Sequence, residues 1–149
     1  MKTSPGLAAL AVIGAVHLVQ KERHHRQQKN VALAGLQDRW LTLLTTNPDL
    51  AAQWKPKGMN ADEFVTLLNA NQQLCALTLR YRLGLISKDR LRFVAKWLMN
   101  REAVRRYWEE FGSFREEETL GDKRATDVNE VMADAYDAFI RRVKQAAGI

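Results

Sequence analysis

The chain has one cysteine in 149 residues, no histidine after position 25, and only two serines beyond residue 29. Each scarcity excludes something. A lone Cys75 rules out an intrachain disulfide and suits a reducing cytoplasm. His17, His24 and His25 all fall early, so the long remainder lacks the usual general base and the usual nitrogen ligand for zinc. Of the two later serines, Ser87 stands where a helix cap belongs, leaving Ser113 without a histidine to activate it. There is no phosphate-cradling glycine loop, no internal repeat and no low-complexity tract. Cys75 sits among apolar residues at helical spacing and reads as an inert core thiol. No catalytic residue, cofactor site or metal site is implied.

Charge is the next thing missing, and only locally. No charged residue lies between Lys2 and Lys21, and Gly6 to Val19 is apolar apart from His17. As a helix, the eighteen residues Thr3 to Gln20 span about 27 Å, against roughly 30 Å of hydrocarbon in a bilayer. A spanning anchor is favoured over three competitors. A cleaved signal peptide wants small residues at a processing site, and His17-Leu-Val-Gln-Lys supplies none. An interfacial helix needs a polar face, which Gly6 to Val16 lacks. A buried globular helix stays open.

The flanks set the expected orientation. Lys2 stands alone before the run, whereas Lys21, Arg23, Arg26 and Lys29 follow it, offset only by Glu22. The positive-inside tendency then puts the C-terminal part on the cytoplasmic side of the cell membrane, behind a single pass. The expected organisation is an anchor with its basic collar over residues 1–29 and a cytoplasmic helical domain over 30–149.

The net charge of +6 divides unevenly. Residues 1–29 carry +4, so the domain contributes only +2. That balance, without a recognisable reading module, argues against nucleic acid as a partner. The membrane and another protein are the partners expected. Within the domain, residues 80–106 hold nine Lys/Arg against two acids, while residues 107–149 sum to −4. Lys88, Arg92 and Lys96 recur at i, i+4, i+8, and Arg101, Arg105 and Arg106 extend the basic block. Asp127, Glu130, Asp134 and Asp137 line one face of the last helix. These two stripes form a candidate interaction surface, used either on each other or on lipid and partner. The acidic stripe would hold a divalent cation only if a second helix supplied oxygens, and solvated surface is its commoner use.

Nothing reads as a strand. Leu33, Leu36, Trp40, Leu43 and Leu44 recur at helical spacing, and no breaker separates them from the anchor. Asn47-Pro48 ends that segment and opens a short helix, closed by Lys55-Pro56-Lys57-Gly58. Asn60 caps the next, with Glu63 reaching back. That helix carries Phe64, Leu67, Leu68, Leu74, Cys75, Thr78, Tyr81 and Leu85 on one broad inward face, with Gly84 as its C-terminal stop. Ser87 caps a helix with Leu91, Val94, Trp97 and Leu98 inward. Asn100 caps another, with Val104, Tyr107, Trp108 and Phe111 inward; it ends at Gly112, with Phe114 packing beyond. From Asp122 the last helix buries Val128, Val131, Met132, Ala135, Phe139 and Val143. The fold class is all-α: a transmembrane-like N-terminal helix followed by a compact bundle of five or six helices.

A band of amides at Asn69, Asn71, Gln72 and Gln73 interrupts the third helix. Asn71 falls on the apolar stripe, so Asn71 and its neighbour Gln72 are candidate buried polar residues that must find hydrogen-bond partners.

Tyr81-Arg82-Leu83-Gly84-Leu85-Ile86-Ser87, Arg106-Tyr107-Trp108, the Asn47-Pro48-Asp49-Leu50 turn and Trp54 together resemble a family of small actinobacterial proteins of unknown function (domain of unknown function 6082). The likeness covers nearly the whole chain. It implies an N-terminal hydrophobic segment joined to a helical domain, and no activity, substrate or cofactor. The function expected is therefore a membrane-anchored interaction or regulatory module. The alternative is a helical small-molecule binder or enzyme working through carboxylates or the amide band.

Overall fold

The computed structural model describes the backbone of residues 5–148 and the side chains of residues 13–148. Its elements are six helices: α1 (Pro5–Thr46), α2 (Pro48–Trp54), α3 (Ala61–Arg82), α4 (Lys88–Met99), α5 (Glu102–Glu118) and α6 (Lys123–Ala147). No strand occurs among the described residues. The chain divides into two compact units, Met1–Leu36 and Gln37–Ile149. The boundary expected after residue 29 therefore falls inside α1.

Short polar side chains start four of the six helices. The Asn47, Asn60, Ser87 and Asp122 side-chain oxygens accept from the backbone N–H groups of Leu50, Glu63, Arg90 and Ala125. Each cap satisfies an otherwise orphaned donor and contributes about 1 kcal/mol. At the end of α3, Gly84 takes φ +73°, and the Leu85 N–H donates to the Arg80 carbonyl at 2.9 Å. Only glycine adopts that backbone cheaply.

Within the second unit the main core lies among α3, α4, α5 and α6. Leu74, Leu91, Met99, Val128 and Met132 are fully buried there, beneath Tyr107 and Trp108. A smaller cluster joins Leu41 and Leu44 of α1, Ala51 of α2, and Phe64 and Leu68 of α3.

Several expectations need correcting. Glu63 does not reach back to Asn60; its carboxylate pairs with Arg106 of α5. Asn100 ends α4, and the cap position of α5 is Arg101, which makes no side-chain cap bond. Gly112 does not stop α5, which runs on to Glu118. A Cβ at Gly112 would lie 3.2 Å from Cε2 of Trp108, so glycine there admits the indole against the backbone. Trp97, Leu85, Phe114 and Val143 are exposed. Leu85 lies past the glycine stop, and in α4 the small Ala95 and the flexible Met99 take the core positions instead of Trp97.

The expected spanning run begins outside the described side chains. Among the described residues no helix is long and apolar enough to cross a membrane. The visible part of the run, Ile13 to Gln20, meets Lys21, Glu22 and Arg23 after eight residues.

Candidate functional site: the α4 surface and a buried polar seam

α4 has one apolar face and one outward face. Leu91, Ala95, Leu98 and Met99 bury the first. The outward face carries the basic residues and, with them, Phe93 and Trp97, which are 59 % and 51 % exposed. Arg90 stacks over Phe93, its Cζ 4.9 Å from the ring centroid, and Arg101 stacks over Trp97 at 4.6 Å. Cation–π contacts of this kind fix both partners against the helix surface while leaving the charge in place.

The two stripes singled out from sequence meet along α4 and α6, but only in part. Lys88 Nζ lies 3.6 Å from Asp127 Oδ1, and the other oxygen of Asp127 accepts from the Tyr81 hydroxyl at 3.1 Å. Arg92 pairs instead with Asp89 of its own helix at 2.8 Å. Arg92, Lys96, Val131, Asp134 and Ala135 line a shallow cleft of about 190 Å³, smaller than a typical small-molecule site. Glu130 and Asp137 are exposed. Arg105 is occupied internally, donating to the Met99 carbonyl at 2.7 Å and stacking 4.1 Å over Phe139. Arg106 is taken by Glu63. Among the described residues Arg90, Lys96 and Arg101 make no ion pair. Nowhere among the described residues do three or more His, Cys, Asp or Glu gather as a metal-binding group.

Polar chemistry also runs through the interior, between α3, α5 and α6. Asn71 is its hub: Oδ1 accepts from the Tyr107 hydroxyl at 2.9 Å, from Arg115 Nη1 at 3.0 Å and from the Cys75 thiol at 3.5 Å. The guanidinium of Arg115, itself buried, also donates from Nε to Asn129 Oδ1 at 3.4 Å. Asn129 returns the contact, donating to the Arg115 carbonyl and the Thr119 hydroxyl at 3.0 and 2.8 Å. Where the same three helices end or begin, Asp122 divides its two oxygens between capping α6 and pairing with Arg82.

Burial pushes the Cys75 thiol and the Tyr107 phenol upward, against the pull of Arg115. Both stay neutral near pH 7, so neither is a ready nucleophile or base. The seam thus reads as a register lock for three helices. Gln72 points elsewhere, donating to Asp38 Oδ1 at 3.3 Å and Thr42 Oγ1 at 3.2 Å, so the amide band does not converge on one site. Asn69 and Gln73 are exposed.

Sequence reasoning missed Arg115 and Asn129. The available signal was the one that flagged Asn71: Asn129 interrupts the apolar positions Val128, Val131 and Met132, and Arg115 continues the Tyr107–Phe111 row. Phe93 was passed over because the basic residues around it drew the reading toward charge alone.

The collar residues Lys21, Arg23, Arg26 and Lys29 are all exposed, and Arg26 pairs with Glu22 at 2.9 Å.

No curated protein and no solved structure matches the chain. A family model does, over residues 3–148, and it takes in the first helix as well as the bundle. The chain belongs to DUF6082, a family of unknown function.

Proposed function

We propose that this protein is a membrane-tethered helical interaction module. A single N-terminal pass holds it to the cell membrane, and the helical domain engages another protein on the cytoplasmic side. The observation that carries the reading is the character of α1 where its side chains are described. Ile13, Val16, Leu18 and Val19 are all more than half exposed, and the exposed collar Lys21, Arg23, Arg26 and Lys29 follows at once. Exposed branched apolar residues cost about 25 cal/mol for every Å² left in water, and a bilayer removes that cost. The more basic flank, after the run, is then favoured to stay in the cytoplasm.

Fractionation of the full chain beside a chain lacking residues 1–29 tests the proposal. The full chain is expected to stay with membranes through an alkaline wash, and the truncated chain to leave them. Full-length protein recovered as a soluble monomer without detergent overturns the reading.

A further inference from the structure

We propose that the outward face of α4 is a docking surface for an anionic lipid bilayer, with Phe93 and Trp97 entering the headgroup layer and Arg90, Lys96 and Arg101 meeting its phosphates. The inference rests on the tether reading only in that a tether keeps the face close to a bilayer; the surface chemistry stands by itself.

The pairing pattern selects these residues. Of the basic block, Lys88, Arg92 and Arg106 are neutralised by Asp127, Asp89 and Glu63, and Arg105 is engaged by the Met99 carbonyl. Among the cations left without an acid, Arg90, Lys96 and Arg101 stand beside the exposed rings. Two large aromatic side chains, each more than half in water, sit on the helix face opposite the core. Free cations and solvent-facing rings therefore occur on the same surface, spread over about three turns of α4 and its exit.

That combination matches a membrane interface. Aromatic rings partition to the headgroup level, and each Lys or Arg near an anionic leaflet strengthens binding about fivefold. Arginine suits phosphate further, because its planar donors engage two oxygens at once. A nucleic acid is a poorer occupant. Base stacking needs an open ring face, and here Arg90 and Arg101 each cover one face of Phe93 and Trp97. The domain's small overall charge also gives little counterion-release drive. The face is the convex ridge of one helix, whereas a peptide partner is normally held in a groove. Charge complementarity thus commits the surface to anionic lipid.

The test uses the full chain with Cys75→Ala and Asn100→Cys, an exposed position beside Arg101, labelled at the new thiol with an environment-sensitive fluorophore. Vesicles of phosphatidylcholine alone are compared with vesicles also containing phosphatidylserine, both with brominated acyl chains as quenchers. Docking predicts quenching and a blue shift with phosphatidylserine only, lost as salt shortens the Debye length from about 10 Å at 0.1 M to about 3 Å at 1 M. Replacing both Arg90 and Arg101 by Gln should weaken docking about 25-fold. Phe93→Ser with Trp97→Ser should abolish the blue shift; all four substitutions are at exposed positions and should leave the circular dichroism unchanged. Co-flotation with neutral vesicles reads the tether separately. A chain that floats while its label ignores lipid charge keeps the tether and overturns the docking face. A chain that floats only with anionic vesicles, with the label quenched, upholds the docking face and removes the tether. A label that responds to protein concentration or to added RNA, but not to phosphatidylserine, assigns the face to a second copy or to nucleic acid and overturns the proposal.

Discussion

The first unit's part of α1 and the whole of α3 are both long helices with many apolar residues, and they use them in opposite ways. In α3, Leu67, Leu68, Leu74 and Leu77 recur on one face and are buried. In α1, Val31, Leu33 and Leu36 recur at similar spacing, yet every one is about half exposed or more, as are Ile13 to Val19. Spacing of apolar residues therefore foretells a helix without foretelling what covers it. In α3 the cover is the rest of the bundle, whereas in α1 Val31, Leu33 and Leu36 are left exposed. α4 repeats the lesson within a single helix, because it buries Leu91 and Ala95 while exposing Phe93 and Trp97.

The sharpest test of that contrast substitutes one leucine from each helix. Leu74 is fully buried, and Leu74→Ala is expected to cost about 2–5 kcal/mol through lost transfer energy and a residual cavity. Leu33→Ala should change stability by about 0.5 kcal/mol or less. Urea unfolding of both variants measures the difference. A comparable loss at Leu33 would mean that another part of the protein covers it, and the contrast would collapse.

Polar burial gives the next largest effect. Asn129→Ala removes three hydrogen bonds and leaves the buried Arg115 Nε and carbonyl without these partners, an expected loss of about 2–3 kcal/mol. Arg115→Met should cost less, because it removes the buried charge along with its partners' need to solvate it. If instead Asn129→Ala unfolds at the wild-type urea midpoint, the seam is not locking the helices. The half-exposed Lys88–Asp127 pair supplies the comparison from nearer the surface: Lys88→Gln is expected to cost under about 1 kcal/mol. A larger loss there would show that the two stripes hold α4 to α6 and are not spare surface.

What was legible in the sequence follows the same division. Caps were readable because Asn47, Asn60 and Ser87 act on backbone three residues away, and the local sequence contains the whole interaction. The all-helical class was readable from the recurrence of apolar positions. The failures came where a partner remote in sequence decides. Asn100 resembles a cap but closes the helix before it, and Gly112 resembles a stop but serves the Trp108 ring. Glu63 finds Arg106 more than forty positions away in preference to its own helix start. The candidate surface was half visible for the same reason. Basic spacing marked α4, but which cations remained unpaired depended on Asp127 and Glu63 in other helices, and only then did Phe93 and Trp97 stand out.

The smallest predicted effect concerns a tyrosine whose partner is likewise remote. Tyr136 of α6 donates its hydroxyl to Glu109 Oε1 of α5 at 2.6 Å, and that hydrogen bond is the main cause pushing the phenol up to about 12 from its usual 10. The folded value lies above the unfolded one, so the bond's contribution is complete below pH 10 and is lost as pH rises toward 12. The pair is largely in solvent, and screening holds the contribution to a few tenths of a kcal/mol. Wild type and Tyr136→Phe should therefore differ slightly in urea midpoint at pH 8 and converge by pH 12. Tyr107, also raised but by burial, is present in both proteins and cancels from the difference. A gap that stays constant across that range would mean the hydroxyl contributes only packing, and that α5 and α6 are joined by the interior seam and core rather than by this outer bond.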